Sequence, residues 1–277
     1  MTGLRYVYAI CRPFSSPLQV QLSGVAGVPP KQLAHGSLVA VVSSVPVEDF
    51  TEEALRAHLE DLDWLSVTAR AHQSVIDALT VVTTPLPLRL ATVFRDDSGV
   101  RAMMQEREEQ FLSILDRLEG RVEWGVKVFV ENSETESQEA PRAPDAKTAE
   151  PEKPLTGRDY LRQRRKQRQT HDDLWERAED FARRLHTTLS ERAEDHRIHA
   201  PQNAALSGAS GRNVLNAAYL VPREESEAFV ELVDATKDDV PGLRVELTGP
   251  WAAYSFSGEF GGESVEGPGE DSGGEGA

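Results

Sequence analysis

A stretch of 23 residues near the middle of the sequence limits what this chain can fold into. Residues 132–154, NSETESQEAPRAPDAKTAEPEKP, contain no aromatic and no large aliphatic side chain. Such a stretch cannot bury enough apolar surface to offset the entropy that is lost on ordering. We therefore expect a disordered acidic linker here, with folded sequence on both sides. The Gly- and Glu-rich residues 257–277 predict a disordered tail for the same reason.

The sequence outside these segments is long enough for two domains, which we predict at residues 1–121 and 122–256. The single cysteine, Cys11, excludes an intramolecular disulfide and lies in an apolar strand pattern. A buried, inert thiol is therefore expected there. The N-terminus lacks the features of a signal peptide, and no window is apolar enough to cross a membrane. We expect a cytoplasmic protein.

The charge of the chain is strongly negative but unevenly distributed. A net charge of −16 argues against affinity of the whole protein for nucleic acid or anionic membranes. Residues 158–168 are the exception, with one acid and six bases: Arg158, Arg162, Arg164, Arg165, Lys166 and Arg168. The acidic linker folding back on this basic face, or an acidic protein partner docking there, is favoured over RNA binding.

The first half of the chain predicts a mixed α/β domain. Apolar, β-branched runs predict strands, and apolar residues at helical spacing predict helices. The predicted strands are 6–11, 35–45, 88–94 and 122–130, and the predicted helices are 51–82 (one helix or two in sequence) and 98–118.

The second half follows the order β-α-β-β-α-β. After the strand at 122–130 we predict, in order, a helix at 156–195, a short strand from about 197, a strand at 213–221, a helix at 223–237 and a strand at 243–247. This is the order of a ferredoxin-like unit, with both helices on one face of an antiparallel sheet. The predicted fold class is therefore α+β, with a mixed N-terminal domain and a ferredoxin-like C-terminal domain.

The sequence provides little support for catalysis. It contains no phosphate-binding loop, no dinucleotide-binding glycine motif, no C-x-x-C and no H-E-x-x-H. His58 and His72 would lie about 21 Å apart along one helix, too far to share a metal ion. We expect His72 to cap a helix or pack at a domain surface. No enzymatic activity, metal or cofactor is expected.

Five short segments resemble the gas vesicle protein F/L family. Leu4–Ile10 is similar to its first strand, and Pro87–Phe94 to its Pro-Leu-Arg-Phe-Gly-Thr-Val-Phe segment. Glu123–Lys127, Gly157–Leu161 and Gly249–Phe256 resemble its Glu-Trp strand, its Gly-x-x-Tyr-Leu helix start and its terminal Gly-Pro-Trp-Pro-Pro-Tyr-Ser-Phe. Leu90-Ala91 replaces Phe-Gly, and Ala252-Ala253 replaces Pro-Pro.

The resemblance implies a non-enzymatic gas vesicle assembly or minor structural protein with a two-domain α+β fold. Its implied partners are the small hydrophobic shell protein, gas vesicle structural protein A, and other gas vesicle accessory proteins. The resemblance implies candidate partner-binding residues in the matching motifs: Arg89, Trp124, Tyr160, Gly249, Pro250, Trp251, Tyr254 and Phe256.

Two alternatives remain at the level of sequence. The aromatic residues of the terminal motif could close a core between the domains instead of contacting a partner. The chain could instead be a ferredoxin-like RNA- or protein-binding module that uses the basic face, Arg162, Arg164, Arg165, Lys166 and Arg168.

Overall fold

The computed structural model describes residues 3–16, 18, 22–58, 60–131, 157–201 and 211–258. The predicted linker at 132–154 and residues 259–277 of the predicted tail lie outside the described residues. The chain divides into two compact units. The first runs up to Gly120 and also contains the segment that begins at Ala252, and the second is Arg121–Trp251.

The first unit contains an antiparallel sheet with order β2-β3-β1-β4, in which β5 also pairs with β1. Its strands are β1 (Leu4–Cys11), β2 (Lys31–His35), β3 (Leu38–Val45), β4 (Leu86–Pro87) and β5 (Val93–Phe94). Its helices are α1 (Val47–Phe50), α2 (Glu52–His58), α3 (Leu62–Val82), α4 (Asp97–Glu106) and α5 (Glu108–Leu118).

The central strand β1 is buried on both faces. Residues 6–11 are fully buried, which is why they form a continuous apolar run without alternation. From α3, the side chains of Val75, Ile76 and Leu79 pack into a core cluster with Tyr6 of β1. The prediction that Cys11 is buried is confirmed.

Residues 51–82 form two helices in sequence, α2 and α3, which is one of the two predicted alternatives. The helices are separated because Asp61 caps α3 by accepting the backbone N–H groups of Asp63 and Trp64. Other predictions for the first unit need correction. The single helix predicted at 98–118 is interrupted at Arg107, which has a non-helical ψ of 17°. Of the strand predicted at 88–94, only Val93 and Phe94 form a strand, β5, and residues 88–92 form the turn that connects β4 to it.

The second unit has the element order β-α-β-β-α-β. Its elements are β6 (Arg121–Val130), α6 (Gly157–Ser190), β7 (Asp195–Ile198), β8 (Arg212–Pro222), α7 (Ser226–Asp234) and β9 (Leu243–Trp251). The strands form an antiparallel sheet with order β7-β8-β6-β9. The two edge strands among the described residues are therefore β7 and β9.

Both helices of this unit pack on the same side of the sheet. Every second residue of β6, from Val122 to Val130, lies in the core cluster, as expected for a strand with one face toward helices. The cluster also includes Phe229 and Val233 of α7 and five residues of α6: Ala178, Phe181, Ala182, Leu185 and Leu189.

The element boundaries in the second unit differ from the predicted ones. The long helix ends at Ser190, five residues before the predicted end, because β7 already begins at Asp195. Residues 223–225 form a 3₁₀ turn before α7. The last strand continues beyond the predicted end at Leu247 and reaches Trp251, because its pairing with β6 resumes after a bulge.

Candidate functional site

The segment that resembles the family's middle motif forms a tight turn. Thr92 donates its backbone N–H and its hydroxyl to the carbonyl of Arg89, at 3.3 and 2.8 Å. The third residue of this turn, Ala91, has a φ of +63°. This left-handed conformation suits glycine, the residue that the family motif carries here. Arg89 is exposed at the turn, and its partner-binding role stays a prediction.

A buried tyrosine–histidine pair lies beside that turn. The Tyr6 hydroxyl is 2.9 Å from His72 Nδ1 and accepts the backbone N–H of Ala91 at 3.1 Å. We assign the Tyr6 O–H as the donor to Nδ1, which leaves the His72 proton on Nε2. Within the part of the chain that the structure describes, Nε2 has no hydrogen-bond partner. The pair is therefore a polar link inside an apolar core.

Burial keeps both members of this pair neutral. His72 is only 3% exposed, so the prediction that it packs at a domain surface is wrong. Removal from water lowers the pKa of His72 to about 4 and raises the pKa of Tyr6. Neither group has the pKa of a proton-transfer catalyst at neutral pH.

The last residues of the terminal motif pack into the first unit. Ala252 belongs to the same core cluster as Tyr6, and Ala253 is 4% exposed. Tyr254 is half-buried and donates its hydroxyl to Gln73 Oε1 at 3.3 Å. Phe256 is buried. The sequence prediction assigned residues 252–256 to the second domain, whereas their contacts group them with the first unit.

The first residues of the motif belong to the second unit. Gly249 has a φ of +130°, and a Cβ there would lie 2.9 Å from both the Glu123 carbonyl oxygen and Trp124 Cε3. Only glycine fits this close approach. Trp124 is buried and donates its indole N–H to Ser226 Oγ at 3.2 Å. Pro250 and Trp251 are exposed at the end of β9, and the Trp251 side chain is a large apolar surface.

The basic face can be described only in part. Between residues 157 and 171 of α6, side-chain environments are described for Arg158, Arg165 and Gln169, and all three are exposed. The side chains of the other predicted residues of this helix lie outside that description: Tyr160, Arg162, Arg164, Lys166 and Arg168.

The described residues provide no constellation with recognisable chemistry. No group of three or more His, Cys, Asp or Glu side chains that could hold a metal ion occurs among them. Burial raises the pKa of Cys11 to about 12, which makes it a poor nucleophile. The described helices include none that is long and apolar enough to cross a membrane. Among the described residues of the sequence motifs, most aromatic side chains therefore occupy packed positions, and Trp251 is exposed.

Comparison with known proteins identifies the family. A family model described as gas vesicle synthesis protein GvpL/GvpF matches residues 4–258. The chain belongs to this family. Gas vesicle protein L of Streptomyces sp. (strain CB03234) is 55% identical over 255 residues, which cover 92% of this chain and 93% of that protein. Gas vesicle protein F of the same strain is 30% identical over 266 residues, or 91% of this chain and 98% of that protein.

A crystal structure from the GvpL/GvpF family shares the fold. GvpF from Microcystis aeruginosa superposes with a TM-score of 0.63 at 18% sequence identity, and the match covers 93% of this chain and 99% of that chain. The mixed α+β fold with antiparallel sheets is thus common to both proteins. The resemblance that five short segments suggested is confirmed across the chain.

The sequence did not reveal which family-motif residues are accessible. Trp251 and Tyr254 lie three residues apart, yet Trp251 is 43% exposed while Tyr254 packs on the core around Tyr6. The Tyr6–His72 link was also missed, because a histidine in an amphipathic helix gives no local signal of its partner in a strand.

Proposed function

We propose that this GvpL/GvpF-family chain is a non-enzymatic assembly factor that binds gas vesicle structural protein A during gas vesicle formation. The observation that carries the proposal is the family match over residues 4–258. The packing of the terminal motif supports it, because its described residues are buried or lie at the end of β9 and do not converge on a reactive pocket. This function implies a cytoplasmic protein that associates with gas vesicles and their other accessory proteins.

The contact with the shell protein is proposed at the end of β9. This strand is an edge of its sheet among the described strands, so its outer backbone groups are available to pair with an extended segment. Trp251 ends the strand and is 43% exposed. An exposed tryptophan beside a strand edge supplies the apolar anchor that protein interfaces favour. A small hydrophobic shell protein suits this combination.

The buried motif residues have a supporting role in this proposal. Ala252, Ala253 and Phe256 are at most 6% exposed and cannot contact a partner without leaving the core. We therefore assign them to holding the segment after β9 in place. Arg89, Trp124 and Tyr160 are not required for the contact.

We also propose that the second unit is a ferredoxin-like domain. Its strand order β7-β8-β6-β9 and its two helices on one face support this assignment. The domain would extend to Trp251, and the residues after it would complete the first domain.

The test is co-expression of the full chain with gas vesicle structural protein A, followed by pull-down and a solubility assay. We expect the chain to retain the shell protein and raise its soluble fraction, and Trp251→Ala to reduce retention at least about tenfold, as for an interface anchor. Val81→Ala is the matched control, because Val81 is a large apolar residue that is 82% exposed and belongs to α3 of the first unit. Absence of retention by the unmodified chain refutes shell binding. Equal losses in both variants refute the assignment to Trp251.

A further inference from the structure

The start of the helical region in the first unit forms an acidic surface. Residues 48–63 of α1, α2 and the beginning of α3 carry seven carboxylates: Glu48, Asp49, Glu52, Glu53, Glu60, Asp61 and Asp63. Arg56 is the sole arginine or lysine in this range, and it pairs with Glu52 at 2.6 Å. His58 Nε2 lies 3.9 Å from Asp49. This acidic surface therefore concentrates negative charge on a small part of the unit.

Exposed aliphatic side chains adjoin the acidic surface. Leu62 is 78% exposed and Val67 is 61% exposed, both in the first half of α3. Val47, at the start of α1, is 42% exposed. The carboxylates attract a basic partner, and the exposed aliphatic residues among them can contact the methylene groups of arginine side chains. A helix rich in arginine has both properties.

The same chain carries a segment of that chemistry. The basic half-helix, residues 157–173 of α6, contains six Arg or Lys residues up to residue 168. Arg158 and Arg165 are exposed and are seven residues apart, so they lie on nearly the same side of the helix. Among the residues of α6 whose side chains are described, Leu174 is the first that packs against the core of its unit. The 17 residues of the basic half-helix correspond to roughly 25 Å of helix.

We propose that the acidic surface of one copy of this chain binds the basic half-helix of a second copy. The charges are complementary, and the exposed aliphatic residues of α3 provide apolar area for the arginine stems. Because the two surfaces differ, the contact is head-to-tail, and a dimer leaves one surface of each kind unpaired for further copies. The inference does not depend on shell-protein binding.

The test measures the mass of the purified full chain by size-exclusion chromatography with light scattering. At low salt we expect a mass that rises with protein concentration to at least twice that of the monomer. At about 0.5 M NaCl, where the Debye length is only about 4 Å, we expect the monomer. A monomer at all salt and protein concentrations overturns the proposal, including the case in which the chain's own linker covers the basic half-helix.

Charge reversal identifies the surfaces. Glu53→Lys/Glu60→Lys disrupts the acidic surface, and Arg158→Glu/Arg165→Glu disrupts the basic half-helix. Each double variant alone should stay monomeric at low salt. An equimolar mixture should form dimers and stop there, because one productive contact remains between the two variants. Failure of the mixture to dimerise overturns the proposal.

Three controls separate pairing of the two surfaces from a general effect of charge, from misfolding and from bridging by nucleic acid. Asp238→Lys/Asp239→Lys makes the same change in charge as Glu53→Lys/Glu60→Lys, but on exposed residues of the second unit. This control variant should self-associate like the unmodified chain. Circular dichroism should show unchanged helix content in every variant. If nuclease treatment dissolves the oligomer, nucleic acid bridges the copies through the basic half-helix and the proposal is wrong.

Discussion

The turn at residues 89–92 provides a direct test of backbone strain. Ala91 holds a φ of +63°, where an L-residue with a Cβ costs about 1–2 kcal/mol and glycine costs little. The segment is held in this conformation from both ends, because Leu88 donates its N–H to the Tyr8 carbonyl and Val7 donates its N–H to the Thr92 carbonyl. Replacing Ala91 with glycine, the family's residue, should therefore relieve strain without moving the turn.

The expected gain in the free energy of unfolding is the strain energy that glycine relieves, minus the stability lost because glycine gives the unfolded chain more conformational entropy. That entropy is worth about 0.4–1 kcal/mol. The hydrogen bond from the residue 91 N–H to the Tyr6 hydroxyl is a backbone interaction and survives the change. We expect Ala91→Gly to raise the free energy of unfolding of the first unit by about 0.8 kcal/mol. With a urea dependence of about 2 kcal/mol per M, the midpoint should rise by about 0.4 M.

The assay is urea unfolding followed by tryptophan fluorescence. Trp64 packs on the core of the first unit and reports its unfolding. Ala26→Gly is the matched control, because Ala26 also has a positive φ, +56°, and should gain a similar amount. Ala78→Gly, inside α3, should lose about 1 kcal/mol. A loss of stability in Ala91→Gly alongside a gain in Ala26→Gly refutes the strain at the turn.

Three further predictions concern the terminal motif and the buried histidine. Gly249→Ala should destabilise the second unit by about 2 kcal/mol or more in urea unfolding, because its Cβ would meet Trp124 at a strained φ; an unchanged midpoint contradicts the close approach. Ala253→Pro should stabilise by about 0.4–1 kcal/mol, since its φ of −78° suits a proline ring, and a loss would show that its N–H is needed. His72 has a pKa of about 4 in the folded protein and about 6.5 in the unfolded chain. The stability that neutral His72 contributes is therefore fully present above pH 6.5. About 3 kcal/mol should be lost as pH falls from 6.5 to 4, with no further loss below. His72→Phe should remove that slope and His58→Gln should keep it, and equal slopes in all three proteins would refute the assignment.

The order of the elements in the second unit was predictable because it depends on local patterns. Every second residue from Val122 to Val130 is apolar and faces the helices, and Glu123, Gly125 and Lys127 stand between them, which fixes both the strand and its buried face. The spacing of Phe181, Leu185 and Leu189 fixes the buried side of α6 in the same way.

The breaks between elements were less predictable because they depend on a few backbone conformations. No glycine or proline marks the interruption at Arg107, and a β-rich sequence conceals the left-handed residue at Ala91. A residue in such a conformation is stabilised by partners that are distant in sequence. Tyr6, which accepts the Ala91 N–H, lies 85 residues away.

The terminal motif shows why similarity of sequence does not identify a binding residue. Gly249 is required by the approach of the backbone to Trp124, and Phe256 is required by core packing, so substituting either one disturbs the fold. Loss of gas vesicle formation in such variants would not establish contact with a partner. Trp251 is different, because a side chain that is 43% exposed at the end of an edge strand contributes much less to folding. A Trp251→Ala chain that unfolds at the unmodified urea midpoint yet no longer retains the shell protein would therefore separate binding from stability, which substitution of the buried residues of this motif cannot do.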